Sequence, residues 1–236
     1  FRLGAYRGLR VQRPSAQVTA VDVEAALAKL QESMAQLVPA GEGEAKQRQV
    51  PPLDDELAKD VGLESLPKLR EHVEAKLREQ KQAAREQTVE SRLCEELLKR
   101  HTFDVPAALV GEQTERLKRD FTVRLLLSGM PEAKVHEETA KFTEQLRTNA
   151  QRHVKLMFIL DRIAEQEQVS VTEQELVGRL WALARRWKKD PAEVRRTLDQ
   201  QGLWPSVLST LRREKTMAII KGAAVIEEEA VATPRP

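Results

Sequence analysis

The sequence predicts a mainly α protein: an elongated multi-helix domain with helical arms, plus a short N-terminal β segment. Three observations lead there. Glu, Lys, Arg, Gln, Ala and Leu dominate the 236 residues, and these are the strong helix formers. Apolar residues recur at spacings of three and four along most of the chain, which marks amphipathic helices. Hydrophobic residues make up 41% and charged residues 32%, but aromatics only 4%. Such a chain must leave much helix surface in water.

Residues 1–18 differ from the rest. Tyr6 to Pro14 alternates apolar and polar positions around Gly8, as a short exposed strand does. Thr19 with Asp22 has the form of a capping box, and Val23, Leu27, Leu30, Met34 and Leu37 then form one apolar stripe. Residues 38–52 hold two glycines, three prolines and few apolar side chains, which predicts a linker. Asp54, Asp55 and Glu56 suit the start of a short helix to Val61.

Ser65 and Pro67 open a helix to about His101, apolar at both ends and nearly all polar from Arg78 to Glu86. Pro106 starts another helix, stopped by Ser128, Gly129, Met130 and Pro131. One long helix is expected from about Glu132 to Gln168. Thr172 with Glu175 caps a helix ending near Lys189, and Asp190-Pro191 opens a short one closed by Gly202. The last helix runs from about Pro205 to Gly222, and 231–236 reads as a flexible tail.

The formal charge is +2, from 39 basic and 37 acidic residues. This interspersed balance argues against a general nucleic-acid binder. The cluster Arg185-Arg186-Trp187-Lys188-Lys189, with Arg195-Arg196 and Arg212-Arg213, is the one place where nucleic-acid contact is worth weighing, although cations also suit a helix C-terminus. No apolar run is long enough to span a membrane.

Cys94 sits at an apolar helix position and reads as a packed thiol. His72, His101, His136 and His153 are scattered, without partners at metal-ligand spacing. No catalytic, cofactor-binding or metal-binding constellation emerges.

The order of several segments resembles the trigger factor family, bacterial ribosome-associated chaperones. Leu3 to Val11 with Pro14, Val18 and Thr19 is similar to the end of that family's N-terminal domain. Leu53 to Asp60 and Glu64-Ser65-Leu66 resemble the return into its C-terminal domain. Phe103 to Pro106, and Val154 to Ala164 followed by Val171-Thr172-Glu173, resemble its arm helices. The resemblance implies a division into 1–37 (end of the N-terminal domain and a connecting helix), 38–52 (a linker where a prolyl isomerase domain would sit), 53–230 (a helical client-binding domain with arms) and the tail 231–236. It implies a cytoplasmic chaperone and, since fifteen linker residues cannot form a proline pocket, no isomerase activity. The family's ribosome-docking loop has no counterpart in these residues, so ribosome contact is expected only through a domain outside them.

The expected function is therefore an ATP-independent holdase that covers exposed apolar segments of nascent or unfolded polypeptides, without cofactor or membrane. The residues expected to touch clients, near helix ends and hairpins, are Leu126, Leu127, Met130, Met157, Phe158, Trp181 and Trp204. Two alternatives stay open: a periplasmic SurA-like chaperone core, and a non-enzymatic helical scaffold that forms a homodimer through the same helices.

Overall fold

A computed structural model describes residues 1–39 and 46–229, with 36–39 and 46–49 described by backbone alone. Its elements are β1 (Arg10–Arg13), α1 (Ala20–Ser33), β2 (Gln36–Pro39), β3 (Lys46–Gln49), α2 (Asp55–Asp60), α3 (Leu66–Arg100), α4 (Ala107–Leu127), α5 (Glu132–Lys141), α6 (Thr143–Gln166), α7 (Glu173–Trp187), α8 (Pro191–Gln200), α9 (Trp204–Gly222) and β4 (Val225–Glu228). The fold is mainly α. The chain divides into two compact units, Phe1–Val11 with Glu90–Val225, and Gln12–Val89 with Ile226–Pro236.

In the second of these units, Thr19 and Asp22 form the reciprocal capping box that starts α1. The Asp22 carboxylate also accepts from Lys81 Nζ at 2.7 Å, and this bond, with those from Thr19, holds it well below the usual carboxylate range. Asp54 caps α2 by accepting from the amides of Glu56 and Leu57 at 3.0 and 3.1 Å. Asp55 accepts from the first amide of α3, that of Leu66, at 2.7 Å. Both carboxylates are thus used by helix starts. Leu27, Ala58 and Leu69 form the core, with Val23, Leu30, Leu66 and Val73 packed around them. Along α3, Arg78 to Ala84 is exposed except at Lys81, whereas Leu69, Val89, Leu93 and Leu97 are buried.

Where a linker is expected, Gln36–Pro39 pairs antiparallel with Lys46–Gln49, Gln36 opposite Gln49. The rest of that linker at 40–45, and the tail 231–236, lie outside the described residues. A second two-stranded sheet joins β1 to β4. Leu9 O accepts from Val225 N and Arg13 O from Glu229 N, each at 2.8 Å. The two bonds advance in the same direction along both strands, as in a parallel pair.

In the other unit, α6 packs against α4 and α9, and α7 against α8. Leu146, Ala150, Val154, Ile159, Leu160, Ile163 and Ala164 give α6 its buried stripe. His101 is 2% exposed and fixes the N-terminal residues: Nδ1 donates to Leu97 O at 2.7 Å, and Nε2 accepts from the Gly4 amide at 2.9 Å. Phe1 stacks on Phe103 with ring centroids 3.9 Å apart.

The single helix expected over 132–168 is two. Phe142, at φ −93° and ψ 1°, ends α5 and precedes α6. Its ring turns edge-on to Phe121 of α4 at 5.4 Å, while Thr143 Oγ1 donates to Thr139 O at 3.1 Å. Such back-bonding bends helices. Neither glycine nor proline marks the break.

Candidate functional site

A groove of about 700 Å³ runs between α4 and α6. Leu109 on α4 and Val154, Met157 and Phe158 on α6 form its apolar floor, and Glu112, Glu115, Arg116, Arg119 and Asp161 its rim. Leu109 is 40% exposed and Phe158 38%, so two large apolar side chains stand in water with charges of both signs beside them. An apolar floor under a charged rim makes this groove the candidate contact surface.

A second groove, about 710 Å³, takes in Leu156, Met157 and Leu160 of α6 and Met217 and Ala218 of α9. Arg213 closes on Asp161 there through two bonds of 2.7 and 2.8 Å, the bidentate geometry that suits a guanidinium. A third, about 370 Å³, is lined by Leu176, Val177, Leu180 and Trp204, with Glu173 and Arg195 at its edge.

Met157 lies in the first two grooves and Phe158 in the first. Trp204 lines the third but also packs on the cluster of Ala184, Val194 and Leu198, and its indole donates to Asp199 at 2.6 Å. Trp181 is exposed on α7. Leu126 and Leu127 are exposed at the end of α4, and Met130 is half-buried after the turn at Gly129. The structure therefore brings Met157 and Phe158 together and leaves the α4–α5 turn residues and the α7 tryptophan elsewhere.

Leu109, Leu156, Met217, Leu176, Val177 and Leu180 complete the grooves and were not among the residues expected to touch clients. The signal for Leu109 was its face: with Gln113 and Arg116 it makes one i, i+4, i+7 line on α4. What that line meets across the chain is not written in any local pattern.

Burial, and then the Glu90 and Glu95 carboxylates, push the Cys94 thiol up to about 11, against nucleophilic use. Among the described residues no three His, Cys, Asp or Glu side chains gather as a metal would require, and no helix is long and apolar enough to cross a membrane.

The family model of the bacterial trigger factor C-terminus matches residues 65–222. The chain belongs to the trigger factor family. It is 25% identical to the trigger factor of Shouchella clausii over 307 residues, covering 93% of this chain and 71% of that one. That span exceeds the 236 residues present here, so the relative carries segments within the matched stretch that this chain lacks. The trigger factor of Geobacillus thermodenitrificans is 32% identical over 147 residues, 60% of this chain and 34% of its own length; this chain thus spans about a third of that trigger factor. A solved structure of the trigger factor chaperone, described for promiscuous substrate recognition in folding and assembly, is similar with a TM-score of 0.42 at 19% identity, covering 80% of this chain and 49% of that one.

Proposed function

We propose that this chain is an ATP-independent holdase of the bacterial cytoplasm, which covers apolar segments of nascent or unfolded polypeptides and carries out no reaction on them. The observation that carries this reading is the α4–α6 groove, where Leu109 and Phe158 stay exposed beside Met157 under a rim of mixed charge. Methionine adapts to varied shapes. A rim of both signs favours no single client charge and keeps a loaded groove soluble. Family membership supports the chaperone class. The longer matched span of the Shouchella clausii relative fits a chain lacking the isomerase domain expected between the flanks of residues 38–52.

The test is light scattering of a thermally unfolding client. The intact chain at modest excess is expected to suppress aggregation, and a Leu109→Asp/Phe158→Asp variant with unchanged circular dichroism to suppress it much less. A chain that leaves aggregation untouched contradicts the proposal.

A further inference from the structure

The basic stretch from the end of α7 into α8 is not used by the α4–α6 groove. Arg185, Arg186, Lys188, Arg195 and Arg196 are all exposed. Among the described residues none of the five forms an ion pair or a side-chain hydrogen bond. The nearby carboxylates are occupied: Glu193 holds Lys189 at 2.6 Å, Asp190 caps α8, and Asp199 takes the Trp204 indole. Three of the five cations, Arg185, Arg186 and the C-cap Lys188, suit the C-terminal end of α7. The rest of this local excess, in a chain of net charge only +2, lacks that explanation.

The same two helices, with Trp204 at the start of α9, hold the third groove. Val177, 51% exposed, Trp181, 55% exposed, and Arg185 follow one another at four-residue intervals on one face of α7. Arg195 of α8 lines the groove together with Leu176, Val177, Leu180 and Trp204. Glu173 marks the opposite, N-terminal end of α7. One strip thus runs from apolar to cationic. Val177 and Arg185 are about 12 Å apart along the helix, a distance that about four residues of extended chain cover.

We infer that the α7–α8 pair selects unfolded segments in which an aliphatic or aromatic side chain is followed, about four residues on, by carboxylates. The apolar group enters the groove of Leu176, Val177, Leu180 and Trp204, and the carboxylates meet Arg185 and Arg195. Leu176, Val177 and Leu180 are what favour a polypeptide over a nucleic acid: aliphatic side chains offer neither charge to a phosphate nor a stacking face to a base. This inference rests on the holdase reading and names a client class for it.

The experiment is fluorescence anisotropy on the whole chain at low salt, with three labelled peptides. Each carries Leu-Phe-Leu and a serine spacer, followed by three aspartates, three serines or three lysines. Two or three exposed charge pairs are expected to make the aspartate peptide bind about tenfold tighter than the serine peptide, and the lysine peptide weakest. Arg185→Gln/Arg195→Gln should abolish the preference, so that the aspartate and serine peptides bind the variant equally. Both substitutions are at exposed positions, and circular dichroism checks the fold. Equal affinities for the three peptides, or an unchanged preference in the double variant, overturn the inference. So does oligo(U) that binds tighter than the aspartate peptide and displaces it. If the chain suppresses aggregation but shows no charge preference, only this client class fails; if it neither suppresses aggregation nor binds any peptide, the holdase reading fails with it.

Discussion

Single residues decide where the N-terminal segment sits. A Cβ on Gly4 would stand 3.3 Å from His101 Nε2 and 3.4 Å from Arg100 O, so glycine is what lets the chain reach the imidazole. His101→Phe removes the acceptor of the Gly4 amide and the donor to Leu97 O in a buried place. Leaving such groups unpaired costs about 1–3 kcal/mol, and the midpoint of urea unfolding is expected to fall accordingly. Glu175 offers a test by pH. Lys215 at 2.7 Å, followed by the capping bonds with Thr172, lowers its carboxyl from 4.5 to about 2. A depressed carboxylate contributes stability above its ordinary value, and that contribution is lost as pH falls from 4.5 through 2. Glu175→Gln should therefore lower the melting temperature near neutral pH and leave a shallower decline on acidification. An identical acid profile in the two proteins would refute that role.

Elements begin and end where local chemistry dictates, and these limits were largely legible. Thr19 with Asp22 and Thr172 with Glu175 are capping boxes in sequence and in structure. Gly129, at φ 84°, ends α4 in the left-handed conformation, its amide donating to Leu126 O at 3.0 Å and that of Met130 to Leu125 O at 3.2 Å. Gly129→Ala forces a side chain into that region and is expected to cost about 1 kcal/mol, read as a lower denaturant midpoint with an unchanged slope. The break at Phe142 was not legible, because it depends on Phe121 of another helix. Nor was β4: Gly222 marks the end of α9, but nothing local makes Val225 to Glu228 a strand, and its strand form depends on β1, more than two hundred residues away in sequence.

At the scale of the whole molecule, composition announced the helices and the ordered segments announced the family, yet the site was only half visible. Met157 and Phe158 could be named from their type and helix face. Leu109 could not be paired with them, since a groove between α4 and α6 is a contact between distant parts of the chain. Trp204 takes both roles: its indole lines the third groove and also packs on Val194 and Leu198 and bonds to Asp199. Type alone does not separate a contact residue from a core residue.

The central claim is that an exposed apolar groove holds unfolded chain. Hydrogen exchange of the whole chain, with and without a reduced, carboxymethylated protein that cannot refold, tests it most directly. The account predicts slower exchange on the groove-forming stretches of α4 and α6, around Leu109 to Arg119 and Val154 to Asp161, with smaller changes in α1 and α2. Exchange that is the same with and without the unfolded protein, at concentrations where aggregation is suppressed, would contradict it.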